Sequence, residues 1–181
     1  MTKFVSLFRA INVGGNSQVK MDTLKAMHEA IGLSNVVTYL QTGNVVFECS
    51  KACDPEQLAG QIGAEFEKSF GFSTQVMVRS SAEMQTLSDK NPFPDQPDKE
   101  TKWIVVMFLT ACPESAAQQA LFESYKGPEE LFIAGQELYI YYPNGIGRSK
   151  LSNTLIEKKL KVYGTGRNWN TVTKLLEMTR P

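Results

Sequence analysis

One histidine, three cysteines and no net charge are the scarcities that first narrow the chemistry open to this chain of 181 residues. His28 stands alone, so no HxxxH pair can form, and it falls in an apolar stripe at helical spacing, where a satisfied, half-buried ring is expected. Cys49, Cys53 and Cys112 are odd in number and lack CxxC spacing, which argues against a zinc or redox centre and for reduced thiols. Cys53 does precede the Asp54-Pro55 helix start, where a helix dipole lowers a thiol's pKa, but a small semi-buried residue is the plainer reading. The longest apolar stretch, residues 103–109, falls far short of the roughly 20 residues that cross a bilayer, so no membrane span is expected. Met1-Thr2-Lys3-Phe4 opens with strand-like alternation rather than a leader pattern, and a cytoplasmic location follows as the expectation. With 19 basic and 19 acidic residues, any attraction to a polyanion must be local. No Walker A sequence, GxGxxG fingerprint, GxSxG elbow or metal-spaced carboxylate cluster is present, so no metal is expected and no cofactor is specified.

What the chain does have is 42% hydrophobic residues, enough for an ordinary core, arranged with clear periodicity. Residues 4–9 alternate as a strand, and Met21, Leu24, Met27, His28 and Ile31 then share a helical face that Gly32 ends. Residues 36–40 and 45–47 form a hairpin around Gln41-Thr42-Gly43-Asn44. Asp54-Pro55-Glu56-Gln57 reads as an N-cap, a first-position proline and a capping-box partner, followed by the Leu58, Ile62, Phe66, Phe70 stripe. Residues 74–79 close the unit as a strand, and Ser80 with Glu83 caps a short helix bearing Met84 and Leu87. Pro92, Pro94 and Pro97 among charged residues then suggest an exposed connector.

The pattern recurs: a buried strand at 103–109, a helix through Ala117, Ala120 and Leu121, and a hairpin of 131–133 with 138–142. A helix with Leu151, Leu155, Ile156 and Leu160 follows, then a short strand at 162–165 and a final helix carrying Trp169, Val172 and Leu176. The predicted fold is therefore α+β: two consecutive ferredoxin-like βαββαβ units with antiparallel sheets plus a C-terminal helix. The expected division is a first unit at 1–88, a Pro-rich connector at 89–102 and a second unit with the C-terminal helix at 103–181. Packing the two units together would bury sheet faces that each leaves bare; side-by-side fusion into one sheet is the alternative.

In this topology the end of the first strand, the start of the first helix and the first hairpin turn meet at one sheet edge. They bring together Arg9, the loop Asn12-Val13-Gly14-Gly15-Asn16, Lys20, and the Gly43-Asn44 turn. Backbone amides at a helix start beside cationic side chains suit a phosphate or carboxylate; the same glycines also serve plain turns, with Arg9 and Lys20 solvated. A second candidate is Pro143-Asn144-Gly145-Ile146-Gly147-Arg148-Ser149-Lys150, between a strand and a helix. From Arg148 onward eight basic residues face two acidic ones, a local net of +6, as a ligand surface or as a solvated face. Arg167 and Asn168 precede Trp169, which either stacks on a base or sugar or belongs to the core, with Asn168 as the cap of the final helix. Phe8 and Phe47 are candidates for stacking bases on the sheet, although the full aromatic motif of RNA-binding domains is absent.

Arg9-Ala10-Ile11-Asn12-Val13-Gly14-Gly15, Thr42-Gly43-Asn44-Val45-Val46-Phe47, Asn91-Pro92-Phe93-Pro94, Gly145-Ile146-Gly147-Arg148-Ser149-Lys150-Leu151 and Arg167-Asn168-Trp169-Asn170-Thr171-Val172-Thr173-Lys174 closely resemble a bacterial family, domain of unknown function 1697, nearly end to end. The resemblance implies a soluble bacterial protein with a duplicated α+β fold and carries no substrate or activity. Family patterns often have Arg-Gly where this chain has Arg9-Ala10. The functional reading is a binding protein for an anionic small molecule or nucleic acid, using Arg9, Asn12, Gly14, Gly15, Lys20, Gly43, Asn44, Arg148, Ser149, Lys150, Arg167 and Asn168. An enzyme acting on such a ligand without a His or Cys nucleophile, and a protein-interaction module, are the alternatives.

Overall fold

The computed structural model describes residues 1–15, 17–50 and 52–181, and they divide into two compact units: Met1–Thr86 with Leu175–Pro181, and Leu87–Lys174. In the first, β1 (Thr2–Phe8), α1 (Met21–Ala30), β2 (Ser34–Tyr39), β3 (Asn44–Cys49), α2 (Pro55–Phe70) and β4 (Val76–Ser80) give an antiparallel sheet of order β2-β3-β1-β4. The first and third strands are central, as the split-βαβ arrangement requires. Alternation along β1 turns Phe4, Ser6 and Phe8 toward the helices. There they meet Leu24 and Met27 of α1 and Leu58, Ile62 and Phe66 of α2 in one core. Phe66 anchors it, with ring centroids 5.2 Å from Phe8, 4.7 Å from Phe70 and 5.2 Å from Phe72. The start of α2 is as the sequence predicts: Asp54 accepts from the Gln57 N–H at 2.9 Å and Pro55 follows. Gly71, at φ 77°, ends the helix.

The second unit repeats this order. It contains α3 (Ser81–Lys90) from Leu87 onward, then β5 (Ile104–Leu109), α4 (Ser115–Ser124), β6 (Glu130–Ala134), β7 (Glu137–Tyr141), α5 (Asn153–Leu160) and β8 (Gly164–Asn168). α6 (Trp169–Thr179) follows, and the sheet order is β6-β7-β5-β8. Val105, Met107 and Leu109 of β5 pack with Leu138 and Ile140 of β7 under Leu121, Ile156 and Leu160 of the helices. No described helix is long and apolar enough to cross a membrane.

Several expectations need correction. The last strand is not 162–165 but Gly164–Asn168. Gly164 lies so close to Met107 and Leu109 that an added Cβ would stand 2.7 Å from Met107 Cε, so packing there demands the residue that β-propensity disfavours. The 89–102 segment is not an exposed connector, because Asn91, Phe93 and Lys99 are buried. Phe93 lies 6.2 Å from the Tyr141 ring, and the Lys99 ammonium sits 4.7 Å from that ring's centroid and 2.8 Å from Glu130 Oε1. The third concerns cysteine: Cys49 and Cys53 are not free thiols but a disulfide, since the end of β3 and the start of α2 bring their Cα atoms to 6.6 Å. Cys112 remains free and exposed.

His28 is fully buried rather than half-buried, between Phe8 and Phe47. Its Nδ1–H donates to the Leu24 carbonyl at 2.7 Å, which leaves Nε2 as an acceptor for the Ser6 hydroxyl at 3.0 Å. Burial pushes its pKa down to about 4 from 6.5, against a smaller opposite effect of the Leu24 hydrogen bond. Above pH 6.5 both folded and unfolded states hold a neutral ring; below it only the unfolded chain takes up the proton, so stability falls until about pH 4. Urea unfolding at pH 7 and pH 5 should therefore show a drop about 2 kcal/mol larger for the wild type than for His28→Gln. Equal drops in both proteins would rule this account out.

Candidate functional site

In the first unit the candidate groups gather where β1 ends. The Arg9 N–H donates to the Gln75 carbonyl at 3.0 Å and its own carbonyl accepts from the Thr74 hydroxyl at 2.5 Å, extending the β1–β4 edge by one residue. The chain then turns through left-handed conformations at Ala10, Asn12, Gly14, Gly15 and Ser17, with φ of 54°, 55°, 65°, 75° and 57°. Asn16 lies outside the described residues. Asn12 clasps this loop. Its Oδ1 accepts from the Val19 N–H at 2.7 Å, while Nδ2 donates to the carbonyls of Val19 at 3.0 Å and Gln41 at 2.8 Å. The last bond ties the loop to the β2–β3 turn, where the fully buried Asn44 donates to the Tyr39 carbonyl at 2.7 Å and Thr42 Oγ1 at 3.2 Å. Gly43 sits beneath Ile11, where a Cβ would stand 2.5 Å from Ile11 Cδ1.

Of the sequence-predicted residues of this unit, Asn12 is bonded to the turn that holds Gly43 and Asn44. Asn12, Gly43 and Asn44 hold backbone together. Gly14 and Gly15 are exposed, with nothing within 4 Å of where a Cβ would stand, and Lys20 is exposed at the N-cap of α1. That helix start has no side-chain cap, whereas Asp54 caps α2 and Ser152 caps α5. Asp22 is its sole acidic group in the first turn.

In the second unit the candidate groups lie at the other end of the strands, where β5 begins and β7 and β8 end. Tyr142 N–H donates to the Trp103 carbonyl at 3.0 Å, and Gly145, at φ 79°, packs on the Trp103 ring with its Cβ direction 3.3 Å from ring carbons. A single turn of 3-10 helix at Ile146–Arg148 leads to Ser149, whose hydroxyl accepts from the Leu151 N–H at 3.0 Å. Arg148 and Lys150 are exposed. A clamp absent from the sequence reading lies beside this loop: Glu129 accepts a hydrogen bond from the Tyr125 hydroxyl, with the Ser149 side chain near its carboxylate. Burial of Glu129 opposes its ionised form, but the bonds from Ser149, Tyr125 and its own backbone N–H outweigh that and hold the carboxyl below the usual range. Burial and then the nearby Glu129 charge push the Tyr142 hydroxyl up to about 12. The one trace of this clamp in sequence is Tyr125 and Glu129 flanking Gly127-Pro128, where a Cβ on Gly127 would collide with the Tyr125 hydroxyl.

Arg167 and Asn168 lie in β8. Arg167 is 7% exposed, donates to Thr165 Oγ1 at 2.6 Å and the Gly166 carbonyl at 3.0 Å, and is pushed down to about 10 by burial. Arg79 of β4 occupies the equivalent position: it is buried, faces Val5 in register as Arg167 faces Val106, and donates to the carbonyl of its preceding residue. Sequence reading missed Arg79 because it sits in an otherwise apolar strand. Asn168 caps α6, accepting from the Asn170 N–H at 2.9 Å, and donates to the Lys102 carbonyl at 2.6 Å. Trp169 is buried. Phe8 and Phe47 are wholly buried beneath the helices, which removes them as a base-stacking platform. Among the described residues no group of three or more metal-ligating side chains occurs.

A family model described as "Protein of unknown function (DUF1697)" matches residues 1–139, and the chain belongs to that family. A solved structure of the conserved bacterial protein SP0830 from Streptococcus pneumoniae is similar, with a TM-score of 0.74, 23% identity and coverage of 99% of each chain, a likeness of fold. No curated protein matches.

Two substitutions test the loop from opposite sides. Ala10 holds a left-handed conformation that costs an L-residue about 1 kcal/mol or more, so Ala10→Gly should raise stability by about 0.5–1 kcal/mol. Gly43→Ala should lower it by at least about 2 kcal/mol, through both φ and the clash with Ile11. Urea denaturation of the two variants reads both signs.

Proposed function

We propose that this protein binds a phosphate-bearing or otherwise anionic ligand, such as a nucleotide, sugar phosphate or nucleic acid, at the loop between β1 and α1. The observation that carries this reading is Lys20. A cation at the N-cap of a helix stands against the positive end of the helix dipole, and the Lys20 side chain gives the first-turn N–H groups no cap. An anion satisfies both at once, and the exposed Gly14 and Gly15 backbone lets it approach closely. Arg148 and Lys150 are exposed basic groups of the other unit.

The sole histidine is buried with its Ser6 partner, out of reach of any substrate, so an enzyme working at this loop would have to act without it. A protein-interaction role draws support from Val13 and Leu40, 52% and 50% exposed on the loop and turn that Asn12 ties together.

Thermal unfolding with phosphate, mononucleotides and sugar phosphates should find a ligand that raises the transition; at 100 times its Kd such a ligand contributes about 2.7 kcal/mol. Lys20→Glu should weaken that ligand about tenfold or more with the fold intact. Binding to single-stranded RNA or DNA instead should fall steeply with salt. Stabilisation by none of these, or binding indifferent to Lys20→Glu, would refute the proposal.

A further inference from the structure

A cavity of about 390 Å³ lies in the first unit beside the start of α2, walled by Leu33 and Leu58, by the amides of Gln57 and Gln61, and by the Cys49–Cys53 disulfide. The pair is poorly placed to be a structural staple. Its members are four residues apart, and closing so short a loop restrains the unfolded chain less than closing a long one. Both elements are also fixed without it: Cys49 pairs with Thr2 across β1 and β3, and α2 is capped by Asp54 and seated in the core by Leu58, Ile62 and Phe66. Both cysteines sit half-buried at the margin of that core, where a thiol can reach them.

We propose that Cys49 and Cys53 form a reversible thiol–disulfide pair that exchanges with a low-molecular-weight thiol admitted by this cavity. The thiolate of the incoming molecule attacks one sulfur, the Cys49–Cys53 bond breaks, and the other cysteine leaves as a thiolate that takes a proton from water. A second thiolate attacks the mixed disulfide, so that two small thiols are oxidised to their disulfide and both cysteines are reduced. Among the described residues that line the cavity, Asp54 at the start of α2 is charged, and it is not consumed.

Glutathione is the probe, used on the full chain carrying Cys112→Ser to silence the remaining thiol. Equilibration across ratios of reduced to oxidised glutathione, followed by alkylation and intact-mass measurement, should carry the protein from no alkylated cysteine to two, with circular dichroism unchanged. Cys53→Ser in the same background should retain one glutathione as a mixed disulfide at Cys49. Gln61→Trp, which sets an indole at the cavity, should slow reduction about tenfold, since exchange depends on access. Two alkylated cysteines at every ratio, a disulfide that glutathione never reduces, loss of the native spectrum on reduction, or an unaltered rate in Gln61→Trp would each overturn the proposal.

Discussion

Everything in each unit is arranged around a first strand that is paired on both sides and covered by helices on one face. β1 and β5 hold that place, and their buried side chains, Val5, Leu7 and Phe8 in one and Ile104 to Leu109 in the other, show the cost of being central: no polar side chain fits without a partner. Ser6 is the exception that illustrates the constraint, because the Nε2 of His28 receives its hydroxyl. The chain leaves such a strand abruptly, so irregular backbone and its polar groups are pushed to the strand ends.

At those ends the same residue types do two kinds of work. Amide side chains satisfy backbone groups that loops leave unpaired, as Asn12, Asn44 and Asn168 do, and this is why asparagine recurs wherever the fold changes direction. Cations divide by burial. Arg79 and Arg167 are enclosed at equivalent positions and bond to their own strands, while Lys20, Arg148 and Lys150 stand in solvent. Charge drawn from the sequence as a single +6 segment therefore contains groups of opposite character, one kind internal to the fold and the other at its surface.

The order of elements was legible because strand and helix periods differ sharply and the pattern occurs twice. α2 could be placed to the residue from Asp54-Pro55, since caps act locally. β8 was displaced because Gly164 and Gly166 answer to the side chains of β5 rather than to any propensity of their own. The Cys49–Cys53 pairing, the burial of Phe93 and Lys99, and the Glu129 clamp escaped for a related reason: each depends on which segments become neighbours after folding. The candidate loop was found from glycine, asparagine and lysine together, but composition gave no means of separating Asn12, spent within the loop, from Lys20, left outside it.

The enclosure of Lys99 has a chemical consequence of its own. Its ammonium is held between Glu130 and the Tyr141 ring with a side chain only 4% exposed, whereas Lys102 nearby keeps 56% of its side chain in water. An acylating reagent in the medium meets the second amine freely, whereas the first is shielded by the packing that encloses it. Two lysines three residues apart thus differ in reactivity by enclosure alone, and Lys99 is the amine that stays unmodified while the fold is intact.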